Sequence, residues 1–189
     1  LLRSRDGDIA DIEGNVTLDI YGGTINNAIY GGCNIKGLVA GNITVTVIDS
    51  LADGCELDAA LCDVYGGGNL AEYVAPTGNG TREFNPIVDI RHAKVRNVFG
   101  GGKGDPEDNT QMRGSVIGTP KVTIGDDYDP HRAVVNESVY GGGNAAKIIG
   151  SPWVVLKSLS KVMGNVYGGG NMGVVDGDTK VIVNGKVVE

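Results

Sequence analysis

Short runs in which apolar and polar residues alternate recur along the chain, each closed by glycine or a polar turn. Val16-Thr17-Leu18-Asp19-Ile20 sets the pattern. Gly41-Asn42-Ile43-Thr44-Val45-Thr46-Val47-Ile48-Asp49, Ile87-Val88-Asp89-Ile90, Lys121-Val122-Thr123-Ile124, Trp153-Val154-Val155-Leu156 and Thr179-Lys180-Val181-Ile182-Val183 repeat it with looser spelling. A period of two predicts half-buried strands, and no stretch carries the period of a long helix. Shorter apolar pieces follow three of these runs: Ala93-Lys94-Val95, Ala133-Val134-Val135 and Lys161-Val162-Met163.

Each series then reaches the same hexamer. Val64-Tyr65-Gly66-Gly67-Gly68-Asn69 returns at Val139 to Asn144 and at Val166 to Asn171. Two altered copies complete the set: Ile29-Tyr30-Gly31-Gly32-Cys33-Asn34, and Val98-Phe99-Gly100-Gly101-Gly102-Lys103. The aromatic markers Tyr30, Tyr65, Phe99, Tyr140 and Tyr167 are 35, 34, 41 and 27 residues apart. A β-branched residue and an aromatic favour an extended backbone, while three glycines permit positive φ and close approach of neighbouring chains. The hexamer therefore predicts a strand running into a corner. A flexible glycine linker would not hold one aromatic and one Asn at fixed offsets five times over. Tyr30, Tyr65, Phe99, Tyr140 and Tyr167 are expected to stack in one column, and Asn34, Asn69, Asn144 and Asn171 to bond along another, with Lys103 breaking it.

Three short strands per turn, with a minimal period of about 27 residues in the last repeat, predict an all-β fold. The expected architecture is a parallel β-solenoid (β-helix) of about five coils with loop insertions. A two-sheet sandwich gives no reason to repeat one hexamer at every third strand. A propeller is the remaining alternative, and it would disperse the aromatic residues around a ring. Insertions are read at Ser50 to Leu61, Ala75 to Asn85 and Lys103 to Thr119, on one side of a rod. Residues 1–189 read as one repetitive domain, and the strand pattern at Thr179 to Glu189 suggests a piece of a longer array, whose ends would suit coil-on-coil stacking.

With 41% hydrophobic residues the chain is not expected to be disordered. A net charge of −7 without a basic stripe argues against nucleic acid as a partner, and no apolar run is long enough to insert directly into a membrane. Cys55 and Cys62 match no zinc spacing; they fit either a small disulfide loop in an oxidising compartment or ordinary loop thiols. Cys33 stands at a Gly position of a corner.

The three intact hexamers, the two altered ones and the Asn184-Gly185 type of turn resemble the Tyr-Gly-Gly-Gly-Asn repeat regions of large secreted or surface-displayed, adhesin-like proteins of gut Bacteroidota. The likeness covers roughly residues 15 to 189. It implies a β-helical fold, an extracellular or cell-surface location, a scaffold or adhesive role toward a host or cell-surface protein or glycan, and no catalytic residues.

The competing expectation is a carbohydrate-active β-helix. Hydrolysis of a glycoside needs two carboxylates about 5 to 10 Å apart, and Asp19 and Asp89 occupy comparable places in the first and third repeats only. His92 and His131 are isolated in turns. Acidic loops at Asp105-Pro106-Glu107-Asp108, Gly125-Asp126-Asp127-Tyr128-Asp129 and Asp176-Gly177-Asp178 suit Ca2+ in their oxygen content. The nonapeptide of calcium-binding rolls is not met, however, so no cofactor is expected. Tyr73, Tyr128 and Trp153 are the aromatic residues available for stacking on sugars, with Trp153 assigned to the core.

Overall fold

A computed structural model describes residues 11–48, 62–77, 84–127 and 132–184. The alternating runs form the longest strands, β1 (Val16–Ile20) and β3 (Ile43–Ile48) among them, and the hexamers open as short strands such as β2 (Ala28–Tyr30). The second passage of the chain adds β4 (Asp63–Tyr65) and β5 (Tyr73–Val74). Three full passages follow: β6 (Ile87–Arg91), β7 (Lys94–Val95), β8 (Val98–Phe99) and β9 (Val116–Ile117); β10 (Lys121–Ile124), β11 (Ala133–Val135), β12 (Val139–Tyr140) and β13 (Ile148–Ile149); then β14 (Trp153–Leu156), β15 (Ser160–Val162), β16 (Val166–Tyr167) and β17 (Val175–Asp176). The last strand is β18 (Lys180–Val183). No helix occurs among the described residues, so none there could cross a membrane.

These strands build four sheets in which every strand pairing is parallel: a six-stranded sheet β1-β3-β6-β10-β14-β18, a three-stranded sheet β15-β11-β7, a five-stranded sheet β16-β12-β8-β4-β2 and a four-stranded sheet β17-β13-β9-β5. The chain visits them in that order, so equivalent residues stack in rows. On the six-stranded sheet Leu18, Val45, Val88, Val122, Val154 and Val181 form one inward row, and Ile20, Val47, Ile90, Ile124, Leu156 and Val183 the next. Val64, Val98 and Val139 line the core from the five-stranded sheet, and Tyr73, Val116 and Ile148 from the four-stranded one. Burying each Val or Ile contributes on the order of 1.5–3 kcal/mol.

Two expectations need correction. Each full passage has four strands rather than three, because a two-residue strand follows the glycine corner. The insertions also leave at different junctions. The strands that flank 49–61 belong to the six- and five-stranded sheets, those that flank 75–85 to the four- and six-stranded sheets, and those that flank 103–115 to the five- and four-stranded sheets. Residues 49–61, including all of Ser50 to Leu61 and Cys55, lie outside the described residues, as do Tyr128, His131 and the end of the chain from 185. The reading of Lys103 to Thr119 as one excursion is shortened as well, since Val116 and Ile117 are strand β9.

Candidate functional site

The strands that carry the hexamers lie side by side, and this brings Tyr30, Tyr65, Phe99, Tyr140 and Tyr167 into one column. Successive ring centroids are 5.1, 4.7, 4.7 and 5.0 Å apart, with planes inclined by 10, 5, 3 and 10°. The separation is the strand spacing itself, so the backbone ladder sets the stack. Phe99 does not interrupt it. Tyr65 and Phe99 are each 3% exposed, while Tyr167 at the outermost strand of that sheet is 43% exposed. Burial, and then the neighbouring Asp63 carboxylate, pushes the Tyr65 phenol well above its ordinary range.

The glycine triads answer to close approach alone. None of these glycines has a positive φ among those recorded at Gly22, Gly23, Gly37, Gly104, Gly114, Gly125, Gly150 and Gly177. Instead, a Cβ added at Gly31, Gly66, Gly100 or Gly141 would come within 2.3–2.4 Å of a carbonyl oxygen of the next repeat. At the third position the obstacles are a carbonyl of the preceding repeat and one a short way on in the same repeat: Gly68 faces the Cys33 carbonyl at 2.5 Å and that of Ala71 at 2.7 Å, and Gly143 the Ala146 carbonyl at 2.5 Å and that of Gly102 at 2.8 Å. Cys33 fills that position in the first repeat, where no described layer lies beneath it. The expectation of positive φ at the triad is thereby replaced by a steric one.

The asparagines stack in two pairs. Asn69 Nδ2 donates to Asn34 Oδ1 at 2.8 Å, and Asn171 Nδ2 to Asn144 Oδ1 at 2.9 Å. Lys103 stands between the pairs. Its backbone keeps the ladder, since its N–H donates to the Gly68 carbonyl at 3.0 Å and its carbonyl accepts from Ala145 at 2.7 Å. Its side chain does not, and Asn69 Oδ1 is shielded from water without a hydrogen-bond donor.

A polar cluster flanks the aromatic column and was not foreseen. Arg96 grips both oxygens of Asp63, at 2.7 and 2.6 Å. Asn97 Nδ2 donates to Asp63 at 3.1 Å and to Glu137 at 2.7 Å, while its Oδ1 accepts the Ser138 N–H at 3.0 Å. The signal lay in the positions just ahead of each hexamer, which are polar in successive repeats. Asp19 and Asp89 share an outward row with Thr46 between them, about two strand spacings or ~9.6 Å apart. Asp89 is also paired with Arg91 at 2.5 Å.

Among the described residues no group of three or more His, Cys, Asp or Glu could hold a metal. In the loop at Asp105 the carboxylates bind protein donors: Asp108 accepts from Thr110 Oγ1 at 2.6 Å and from the Arg113 N–H at 3.0 Å, and Asp105 pairs with the Arg113 side chain. Those bonds, led by Thr110, hold the Asp108 carboxyl down to about 2. Cys62 is a free, buried thiol pushed up to about 11 by burial and then by Asp63.

The sugar-stacking candidates divide. Tyr73 is core, 1% exposed, with its hydroxyl donating to the Gly41 carbonyl at 2.9 Å. Trp153, assigned to the core from its apolar run, occupies an outward, half-buried position. Phe84 meets it edge to face at 5.0 Å, and the ammonium of Lys180 lies 4.2 Å from its ring centre. Lys121 covers Phe84 in the same way at 4.7 Å. No family model, curated protein or solved structure matches the chain.

Proposed function

We propose that the chain is a parallel β-solenoid of about five coils that serves as a non-catalytic structural and adhesive spacer in a large bacterial cell-surface or secreted protein. The observation that carries this reading is the constancy of the aromatic stack, 4.7–5.1 Å through all five hexamers, despite insertions of different length between them. A scaffold of uniform pitch tolerates such insertions because each coil is held by its neighbours rather than by its loops. Those insertions, leaving at three junctions, are the surfaces offered to a host or neighbouring-cell protein or glycan. The resemblance of the hexamers to Tyr-Gly-Gly-Gly-Asn repeats supports the extracellular setting. Half-exposed Tyr167 and Val183, 67% exposed, suit the stacking of a further coil of the same repeat.

The carbohydrate-active alternative has one observation in its favour: Asn97 holds the Asp63 and Glu137 carboxylates close together. Asp63 is spent on Arg96, however, so the arrangement reads as a brace across three repeats. Incubation with a panel of polysaccharides should release no new reducing ends and no unsaturated products. Reproducible cleavage that disappears in Asp63→Asn or Glu137→Gln would replace the spacer by an enzyme.

A further inference from the structure

We propose that the row Lys121, Phe84, Trp153 and Lys180 on the outer face of the six-stranded sheet binds a linear acidic polysaccharide, of the kind that carries a carboxylate on its sugar rings. Lys121, Trp153 and Lys180 open β10, β14 and β18 and pair directly in register. Side chains alternate along a strand, and the next residues, Val122, Val154 and Val181, belong to the inward row, so all three point out. Phe84, from the turn ahead of β6, folds over the same place. The result is a sequence of cation, ring, ring, cation.

Charge supplies the argument for an anion. In a chain of net charge −7, neither ammonium has a carboxylate within ion-pair distance among the described residues. Each lies over an aromatic face instead, an arrangement that keeps a lysine oriented while leaving its outer N–H bonds to solvent or ligand. The neighbouring outward row on these three strands is Thr123, Val155 and Ile182, which adds no charge. On the first half of the sheet the same row carries Asp19 and Asp89, so an anionic ligand is directed to the half that holds the lysines.

Shape and spacing supply the argument for a sugar chain. Lys121 and Lys180 are two strands apart, ~9.6 Å along the stack. That is on the scale of the disaccharide repeat of an extended glycan, so carboxylates on alternate residues meet successive ammoniums. The weakly polar C–H face of the intervening sugar packs on the aromatic surface that Phe84 and Trp153 present together. An acidic peptide offers the charge but no flat ring face at that pitch. Three of its four residues belong to the sheet and Phe84 comes from the end of the 75–85 connection, and the surface does not depend on the spacer reading.

Trp153 is the only tryptophan in the chain, so its fluorescence reports on this row alone. Titration with hexagalacturonate should give a saturable change, weakened by added salt. Lys121→Ala and Lys180→Ala should each bind about tenfold more weakly, each having lost a charge-assisted bond. Lys161→Ala, on the three-stranded sheet, should bind as the parent does. Circular dichroism and urea midpoints equal to those of the parent show that the lysine variants fold. The proposal is overturned by no saturable change, by lysine variants that bind like the parent, or by equal affinity for maltohexaose or hexaglutamate.

Discussion

Lys103→Asn should make the protein more stable, which is unusual for a single substitution at an exposed site. In both asparagine pairs the later residue donates through Nδ2 to Oδ1 of the earlier one. An Asn at 103 therefore has a donor to offer Asn69 Oδ1, which is shielded and unpaired, and an acceptor to offer Asn144 Nδ2. The backbone needs no adjustment because residue 103 already makes both ladder bonds. Relieving an unmet buried acceptor is worth about 1–3 kcal/mol and a further amide bond about 0.5–1.5, against which stands the ordering of one side chain. A net gain of about 1–2 kcal/mol follows, or about 2–8 °C in Tm for a chain of this size. Urea denaturation should show a higher midpoint at an unchanged slope. In an Asn69→Ala background the gain should fall to about half, since only the bond from Asn144 remains to be made. An equal gain in that background, or the same gain from Lys103→Ala, would refute the reasoning by showing that loss of the lysine, and not completion of the column, is responsible.

The same ladders set three other expectations. Gly142→Ala should be severely destabilising, because its Cβ would sit 2.7 Å from the Gly170 nitrogen, whereas Gly169→Ala at the same place in the hexamer meets nothing within 4 Å and should leave the thermal midpoint nearly unchanged. Asn144→Ala removes the acceptor of Asn171 and should lower stability by about 1 kcal/mol in urea titration. Cys62, Tyr65 and Tyr73 all have folded-state values raised above the unfolded ones by burial, so the fold favours their protonated forms. Their contribution is complete below pH 9 and is lost as pH rises, first between about 9 and 11 as Cys62 ionises in the unfolded chain and then above 10 for the tyrosines. Cys62→Ala should remove the first phase of alkaline destabilisation and leave the second.

Some of this was legible along the chain and some only across it. The hexamer shows itself because four of the five repeats face the same obstacle, a carbonyl 2.3–2.4 Å from the first glycine's missing Cβ, and at Gly168 the side chain of Thr179 takes its place at 2.6 Å. Identical constraints preserve identical letters. The fourth strand has no such spelling, being Tyr73-Val74, Val116-Ile117, Ile148-Ile149 and Val175-Asp176. It needs only one inward apolar residue at its first position, which any of several side chains can supply. Its remaining signal is position: Tyr73, Ile148 and Val175 each fall five residues after the last glycine of their triad, and the loop from 103 to 115 hides that offset in the third repeat.

Trp153 shows the limit of reading one strand at a time. Within Trp153-Val154-Val155-Leu156 every residue is apolar, and nothing in the run says which face is inside. The strands on either side decide it, because register places Lys121 and Lys180 beside the indole, and a lysine does not point into a core of valine and isoleucine. The parity of one polar neighbour thus assigns the orientation of an all-apolar strand. The same comparison explains why the sequence did not reveal the row of Phe84, Lys121, Trp153 and Lys180: its four residues come from four separate repeats, and adjacency exists only once the strands are stacked. In a stacked architecture the scaffold is written along the chain in repeated letters, whereas a row on a sheet face is written across it, one residue from each repeat.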